Sequence, residues 1–232
     1  MNSDKPASAK ISNRDWSATA TPRYAGYRSS ATRDPAMALV RIPQTVSEQT
    51  GPRFDAAIIG SLGPDLTRNS RRNGEPVGER IIVTGRILDD AGRPIAGALV
   101  ELWQANAAGR YVHLVDQHDA PLDPNFLGAG RCLSDAHGRY TFTTIRPGAY
   151  PWGNHENAWR PAHLHFSVFG HSMLSRLVTQ MYFPGDPLLP HDPIYNSVED
   201  PEARQRMVAS FSFEHTVSGV ALGYEFDMVM RG

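Results

Sequence analysis

The strongest constraint on the fold is a repeated alternation of short β-forming runs with turn clusters, which extends over most of the chain. β-branched and aromatic residues are typical of strands, whereas clusters of Asp, Gly and Pro are typical of turns. Ile81–Val83 and Val100–Trp103 flank the turn cluster Asp89–Pro94, and this arrangement predicts a hairpin. A second turn cluster, Asp135–Gly138, precedes Arg139–Ile145, where Tyr, Phe and Thr recur at every second position. That alternation predicts a half-buried strand.

Further β-rich runs follow at similar spacing. His163–Phe169 predicts a strand, and Val208–Phe213 and Gly219–Val229 predict the last ones. Leu174–Phe183 fits a helix or a strand by periodicity, but its Val, Thr, Tyr and Phe content favours a strand. The absence of long amphipathic helical patterns then predicts an all-β protein, built as an antiparallel β-sandwich with long loops.

The chain divides near residue 50 into two parts of different composition. Residues 1–50 are polar, rich in Ser, Thr, Pro and Arg, and without sustained periodicity, which predicts an extended N-terminal arm. Its aromatic residues Trp16, Tyr24 and Tyr27 are unusual for a free arm, so we expect them to anchor it on the core or on a partner subunit. Residues 51–232 have a length that suits one β-sandwich domain.

Charge and cysteine content narrow the range of partners and compartments. The net charge is -1, and the basic residues are scattered rather than clustered, which argues against nucleic acid. The single cysteine, Cys132, excludes an intrachain disulfide. No apolar run reaches the roughly 18 residues of a membrane span, and the N-terminus lacks the apolar region of a signal peptide. We therefore expect a cytoplasmic protein whose partner is a small molecule or another protein.

The segment Tyr150–His165 concentrates residues that can bind a metal, with three histidines and a tyrosine in sixteen residues. In an extended strand His163 and His165 share one face, about 7 Å apart along the backbone, while Phe166 lies on the other face. One metal ion can bridge that spacing. From the residues alone, a metal-binding pair and an ordinary structural pair both remain open.

The surroundings of this histidine pair argue against the common Fe(II) patterns. A cupin-type site or a facial triad needs a carboxylate near the second histidine, but residues 166–185 contain no Asp or Glu. Tyrosines are the nearest alternative anionic ligands. A phenolate at pH 7 costs roughly 4 kcal/mol unless a cation compensates it, and Fe(III) suits phenolate oxygen. The loop Gly109–His113 offers such a tyrosine, although a loop tyrosine is more often a packing residue.

Several longer motifs carry a specific resemblance to a known family. From about Thr21 to the C-terminus the chain resembles the intradiol ring-cleaving dioxygenases, in particular the β-type subunits of members built from two related subunits. The α-type subunits of that family lack the metal-ligand set, which this chain retains. The motifs that carry the resemblance are Ile42–Gln44 with Ser47 and Glu48, Gly78–Val83, Glu101–Asn106, Asp119–Phe126, Trp159–His165 and Tyr182–Pro187.

The resemblance implies a prealbumin-like sandwich and a metal site. It implies Fe(III) held by Tyr111, Tyr150, His163 and His165, with a solvent-derived hydroxide completing the shell. It also implies that Tyr150 is the ligand displaced when the substrate binds iron through both hydroxyl oxygens.

Further side chains receive roles through the same resemblance. Arg160 would stabilise negative charge on the substrate ring, as a fixed guanidinium does well in a dry pocket. The alternative for Arg160 is an ion pair with Glu156 or an exposed cation. The substrate and O2 side of the site would be lined by Trp152, Gln180, Ile194 and Tyr27, with Tyr24 as the competing assignment for the last.

The implied reaction is cleavage of 3,4-dihydroxybenzoate by O2 to 3-carboxy-cis,cis-muconate, in aromatic catabolism by the β-ketoadipate route. The implied partner is an α subunit of the same enzyme, which meets this chain near the site. Another catechol is the first alternative, although catechol and hydroxyquinol 1,2-dioxygenases carry a helical region that residues 1–50 do not match. A non-catalytic prealbumin-like binding module is the second. Val112, Leu114 and Val115 replace more polar family residues, which leaves fine substrate preference open.

Overall fold

The computed structural model describes residues 23–38, 40, 51, 53–170 and 176–230, and in these residues it is an all-β sandwich, as predicted. Trp16, the Ile42–Gln44 motif, Ser47 and Glu48 lie outside them. The strands are β1 (Arg80–Asp89), β2 (Leu99–Trp103), β3 (Ala129–Leu133), β4 (Arg139–Ile145), β5 (Tyr150–Pro151), β6 (Trp159–Arg160), β7 (His163–Phe169), β8 (Arg176–Tyr182), β9 (Ser210–Val217), β10 (Ala221–Glu225) and β11 (Met228–Met230).

Helices in the described residues are short. α1 (Ser30–Arg33) lies in the arm, while α2 (Pro193–Asn196) and α3 (Pro201–Gln205) lie between β8 and β9. Single 3-10 turns cover Ala56–Ile58 and Leu189–His191. None of the helices that the structure describes is long and apolar enough to cross a membrane.

The first sheet is built around β1. This strand pairs antiparallel with β4 on one side and parallel with β10 and β11 on the other. Thr84 lies opposite Glu225 and Ile87 opposite Met228, so β10 and β11 follow one register along β1. β9 extends the sheet by pairing antiparallel with β10. This sheet of the sandwich is therefore mixed. Its parallel pairs join distant segments, which need no local turn and leave no local signal in the sequence.

The second sheet has the order β3-β2-β7-β8, and all its pairs are antiparallel. β7 has the bounds that the sequence predicts, and β8 confirms the strand interpretation of the segment before Phe183. A separate two-stranded ribbon pairs Tyr150 of β5 with Arg160 of β6. This ribbon is part of the chain that covers one end of β7.

The predicted hairpin between Ile81–Val83 and Val100–Trp103 is wrong. The Asp89–Pro94 cluster does form a tight turn, since the Asp89 carboxylate accepts hydrogen bonds from the backbone N–H groups of Ala91 and Arg93. After this turn the chain crosses over, and β2 pairs with β3 and β7 in the other sheet. The Asp135 turn likewise joins β3 of the second sheet to β4 of the first. Both turns therefore connect one sheet to the other. The sequence does not reveal this, because local alternation identifies the buried face of a strand but not its neighbouring strand.

The core lies between the two sheets and contains residues from both. Phe166 of β7 is fully buried, and its ring lies 5.8 Å from Tyr140, 6.3 Å from Phe142 and 5.8 Å from Phe226. Leu164 and Val168 share this inner face of β7 and are also fully buried. The histidines of β7 therefore lie on the outer face of the second sheet, where loops cover them.

Gly85 provides a stability test of the β1 register. A Cβ at this position would overlap the backbone carbonyl of Phe226, between β10 and β11. We expect Gly85→Ala to lower the free energy of unfolding by about 1–3 kcal/mol, as overpacking of a tight contact does. Urea denaturation measures the change. Gly63→Ala is the control, because its Cβ would meet only Asn69 Oδ1, at 3.8 Å. Equal stability of the two variants would contradict the register.

Candidate active site

His163 and His165 lie side by side on the outer face of β7, as the alternation predicts. His165 lies opposite Trp103 of β2, and the two rings stack at 4.9 Å with an interplanar angle of 7°. On its other side His165 lies opposite Gln180, and His163 lies opposite Tyr182. His163 is buried at 1% exposure. The sheet itself thus fixes the position of both imidazoles.

Two phenol oxygens join the imidazoles in one cluster. The Nε2 atoms of His163 and His165 are 3.2 Å apart. Tyr111 Oη lies 3.1 Å from His165 Nε2, and Tyr150 Oη lies 3.4 Å from His163 Nε2. The Tyr111 and Tyr150 rings meet edge to face at 5.4 Å. The structure therefore brings together the four side chains that the family resemblance selects as iron ligands.

The hydrogen bonding of His163 directs a lone pair at this cluster. A backbone carbonyl only accepts, so His163 Nδ1–H donates to Pro161 O, at 2.7 Å, and Nε2 keeps its lone pair. Atoms that share one metal at bond lengths of about 2 Å lie about 3 Å apart, which is the spacing of these donor atoms. The carbonyl contact also fixes the ring, as is usual for metal-binding histidines. The donor set fits a metal ion.

The protonation states suit a hard cation. Burial, and then the nearby Arg160 charge, lowers the pKa of His163 well below its ordinary value, and the same two causes lower the pKa of His165 to about 3. Both imidazoles are therefore neutral and able to bind a metal. Burial, reinforced by Tyr150, raises the pKa of Tyr111 far above its ordinary value. A Tyr111 phenolate in this setting needs a strongly charged cation beside it, and Fe(III) meets that need.

A rigid loop after β2 positions Tyr111. Asn106 Oδ1 accepts hydrogen bonds from the backbone N–H groups of Ala108 and Arg110, and Asn106 N–H donates to Arg110 O. The next backbone N–H, that of Tyr111, donates to Asp116 Oδ2 at 2.7 Å. These side-chain-to-backbone bonds replace the strand ladder that has ended at Trp103.

Tyr150 reaches the cluster from a neighbouring segment. Gly148 N–H donates to Asn106 O, so the same asparagine holds the approaches to both tyrosines. Gly109 has a φ of +79°, and a Cβ there would overlap Ala149 O, which explains the glycine. The backbone of Tyr150 pairs with Arg160 in the short β5–β6 ribbon.

Arg160 lies beside the cluster and is buried at 3% exposure. Its Nη1 atom is 3.3 Å from His163 Nε2, and its guanidinium lies 5.5 Å from the centre of the Trp152 ring. It forms an ion pair of 2.8 Å with Asp192, not with Glu156. The alternatives of an ion pair with Glu156 and of an exposed cation are therefore wrong: the chain folds Arg160 inward, where only a buried carboxylate can balance it.

Two buried donors at this place have no acceptor among the described residues, namely Arg160 Nε and Trp152 Nε1. Buried donors are rarely left unsatisfied, so each such group needs an explanation. Both belong to residues that the sequence analysis assigns to the substrate side. A bound molecule that carries oxygen acceptors would satisfy them.

The other side chains predicted to line the substrate side are Gln180, Ile194 and Tyr27. Gln180 Oε1 accepts a hydrogen bond from Arg160 Nη2 at 2.6 Å. Ile194 is half-buried in the first turn of α2. Tyr27 lies 5.5 Å from Trp152, ring centre to ring centre, and among the described residues Tyr24 forms no ring pair with the site. These positions favour Tyr27 over Tyr24 as the arm residue nearest the site.

The described part of the arm is fixed to the core through Asn154. Asn154 Oδ1 accepts from Arg28 N–H at 2.9 Å, and Asn154 Nδ2 donates to Gly26 O at 2.8 Å. Asn154 is itself buried. These hydrogen bonds place Tyr27 against Trp152, so the described part of the arm lies next to the candidate site.

Sequence reasoning missed three side chains of the site: Trp103, Tyr182 and Asp192. Trp103 stacks on His165, and Tyr182 Oη lies 2.9 Å from Asp192 Oδ2. The available signal for Asp192 was its place before a proline, since Asp-Pro is typical of the start of a helix. That signal predicts a helix cap and gives no reason to expect Arg160 as a partner.

One other group of side chains has metal-ligand spacing within the described residues. It consists of Glu214, His215 and Glu225 on β9 and β10, and both glutamates are exposed. His215 Nε2 lies 3.2 Å from Glu225 Oε1, a contact that is ordinary on a protein surface. His215 is not among the residues predicted to bind the metal.

A cluster of two imidazoles and two phenols on an outer sheet face, buried at His163 and half-buried at the other three side chains, has the donor set of a non-haem metal site, and comparison with known proteins gives the family. Residues 49–232 match the family described as Dioxygenase, and the chain belongs to the intradiol dioxygenases, a family of enzymes that use non-haem iron. It is 58% identical over 222 residues, 96% of this chain and 94% of the relative, to the protocatechuate 3,4-dioxygenase beta chain of Burkholderia cepacia. The term beta chain implies an alpha chain in that enzyme.

Other relatives share less of the chain. The hydroxyquinol 1,2-dioxygenase of a Rhizobium strain is 36% identical over 135 residues, which cover 53% of this chain and 43% of that enzyme. Among solved structures, the dioxygenase domain of a dioxygenase carbohydrate-binding protein fusion from Streptomyces sp. SirexAA-E matches with a TM-score of 0.51 and 26% identity. That match covers 77% of this chain and 92% of the domain.

Proposed function

We propose that this chain is the iron-bearing subunit of an enzyme that cleaves 3,4-dihydroxybenzoate with O2 to 3-carboxy-cis,cis-muconate. The observation that carries the proposal is the convergence of Tyr111, Tyr150, His163 and His165 donor atoms at 3.1–3.4 Å beside a buried arginine. The relative of matching length is a protocatechuate 3,4-dioxygenase beta chain, and protocatechuate is this same dihydroxybenzoate.

The four converging side chains would hold Fe(III). When bound, Fe(III) supplies Lewis acidity to the catechol oxygens and makes the ring electron-rich toward O2. Tyr150 is the phenol that we expect to leave when the substrate arrives, as the family resemblance implies, and its backbone lies in the short β5–β6 ribbon. Its released phenolate oxygen is a base able to take a proton from a substrate hydroxyl.

Arg160 supplies positive charge where negative charge develops. Its guanidinium is buried, so no water screens it, and it is already oriented before the substrate binds. A preorganised donor in such a dry site stabilises a developing anion far more than it would in water. The free Nε–H of Arg160 and the indole N–H of Trp152 are available to substrate oxygens.

We further propose the organisation of the whole enzyme. Residues 51–232 form the catalytic sandwich, and residues 1–50 form an arm that packs on the core and on an alpha subunit, in a hetero-oligomer of αβ units. The contact between Tyr27 and Trp152 and the beta-chain name of the relative support this arrangement. The single buried cysteine, Cys132, is consistent with the cytoplasm, which we propose as the location.

Oxygen uptake tests the proposed function. The chain, alone and co-produced with an alpha chain, is assayed with 3,4-dihydroxybenzoate, catechol and hydroxyquinol, and iron is measured by elemental analysis. We expect one iron per chain, a red colour from phenolate-to-iron charge transfer, and the highest kcat/KM with 3,4-dihydroxybenzoate. A preference for catechol or hydroxyquinol would assign the chain to another intradiol substrate. Protein without iron, colour or uptake would favour a non-catalytic binding module.

A further inference from the structure

We propose that Asp192 is a positioning residue: its carboxylate holds the Arg160 guanidinium so that Nη1 and Nε face the reacting ring. The inference rests on the proposed function, because it assigns Asp192 a part in the same reaction. It starts from the contacts of Arg160, whose donors divide into two groups.

The first group of Arg160 donors already forms hydrogen bonds to other side chains of the protein. Nη2 lies 2.6 Å from Gln180 Oε1, 2.8 Å from Asp192 Oδ2 and 3.1 Å from Tyr182 Oη. Nη2 carries two hydrogens, and the two shortest contacts take both. The other group comprises Nη1, beside His163 Nε2, and Nε, which has no acceptor among the described residues. Fixing Nη2 therefore orients Nη1 and Nε toward the metal cluster.

Burial makes the carboxylate the decisive partner. Asp192 is 0% exposed and the Arg160 side chain 3%, and in no other ion pair among the described residues are both side chains so deeply buried. A buried cation without its carboxylate would turn toward the remaining polar groups around it, and His163 Nε2 of the cluster lies 3.3 Å from Arg160 Nη1. Asp192 prevents this turn, because it balances the guanidinium on the side away from the cluster.

The same carboxylate also fixes a second part of the site. Asp192 Oδ1 accepts a hydrogen bond from Ile194 N–H and so caps α2, while Oδ2 contacts Tyr182 Oη at 2.9 Å. One side chain thus connects Arg160 on β6, Tyr182 on β8 and the helical turn that carries Ile194. A displacement of Asp192 would therefore shift Arg160, Tyr182 and this helical turn.

Asp192→Asn tests the proposal in the iron-loaded full chain with its alpha chain. Asparagine is a good helix cap, so α2 keeps its N-terminal hydrogen bond while Arg160 loses the negative charge. We expect kcat with 3,4-dihydroxybenzoate to fall about 10- to 100-fold, the usual cost of a small misplacement. KM, iron content and the charge-transfer colour should stay close to those of the wild type.

A double-mutant cycle separates positioning from general structure. Residues that act through one another give non-additive effects. In an Arg160→Leu background, Asp192→Asn should change kcat less than about twofold, and it should raise the thermal midpoint because it removes an isolated buried charge. Asp200→Asn is the matched control, because Asp200 caps α3 before a proline as Asp192 caps α2, but it is exposed. Its kcat should equal that of the wild type.

Wild-type kcat in Asp192→Asn would overturn the proposal, and so would an equal fold-loss in both backgrounds. Loss of iron together with kcat would also overturn it, since that pattern indicates a damaged metal site. A wild-type enzyme without iron or turnover would reject the proposed function itself, and the role of Asp192 with it. Turnover on a different catechol would change only the substrate used in the cycle.

Discussion

His163→Ala is expected to yield protein with background iron, no red colour and at least about 1000-fold lower kcat. His163 offers the cluster a lone pair that the Pro161 carbonyl orients, and alanine removes it. A metal ion contributes several kcal/mol of charge stabilisation to a reaction of this type, and each 1.36 kcal/mol corresponds to a factor of ten. Elemental analysis, visible absorption and oxygen uptake measure the three effects.

His215→Ala is the matched control for this prediction. His215 lies with the exposed Glu214 and Glu225 on β9 and β10, away from the four converging side chains, so its loss should leave iron, colour and turnover intact. If His215→Ala lost the iron and His163→Ala kept it, the assignment of the metal site would be refuted.

Tyr111→Phe is a milder second variant, which keeps the ring and removes one phenol oxygen. It should also lose the colour and turnover.

Arg160→Leu is expected to lower kcat about 100- to 1000-fold while iron remains bound. Removing one preorganised donor to a developing anion has a cost of this size in other enzymes. The variant should also lose about 3–5 kcal/mol of unfolding free energy, because Asp192 becomes an isolated buried carboxylate. Oxygen uptake and urea denaturation of the same preparation give both quantities.

Arg93→Leu is the control for charge removal as such. Arg93 pairs with Asp89 at 2.7 Å, but its side chain is 77% exposed, and exposed pairs contribute about 0–1 kcal/mol. Its kcat and stability should stay near those of the wild type. An Arg160→Leu enzyme with normal kcat would remove the arginine from the proposed mechanism, even if its stability fell.

The individual strands of this fold can be predicted well from the sequence, but the pairing between them cannot. β7 has the predicted bounds, because His163, Leu164, His165 and Phe166 alternate between polar and apolar residue types. Such alternation indicates only which face of the strand a side chain occupies. The parallel pairing of β1 with β10 is decided by packing between distant segments, which local residues do not encode.

The residues of the candidate site also divide into those that the sequence reveals and those that it does not. The histidine pair is visible in the sequence because both members are on one strand. Tyr111 is 54 residues from His165, and only the family resemblance selected it among the tyrosines. Asp192 was missed because its charge is balanced by a residue 32 positions earlier, and no local pattern connects a helix cap to a buried arginine. Long-range electrostatic partners are set by the finished fold.

The four donor atoms come from the β2–β3 loop, the β5 ribbon and β7, so they meet only after the second sheet has closed. In an unfolded chain the same four side chains are far apart, so they cannot bind one iron ion together. Under the proposed function, iron would therefore bind folded molecules and stabilise them by mass action, in proportion to the logarithm of its free concentration. In a purified sample, each chain that holds iron would then be one whose second sheet has formed.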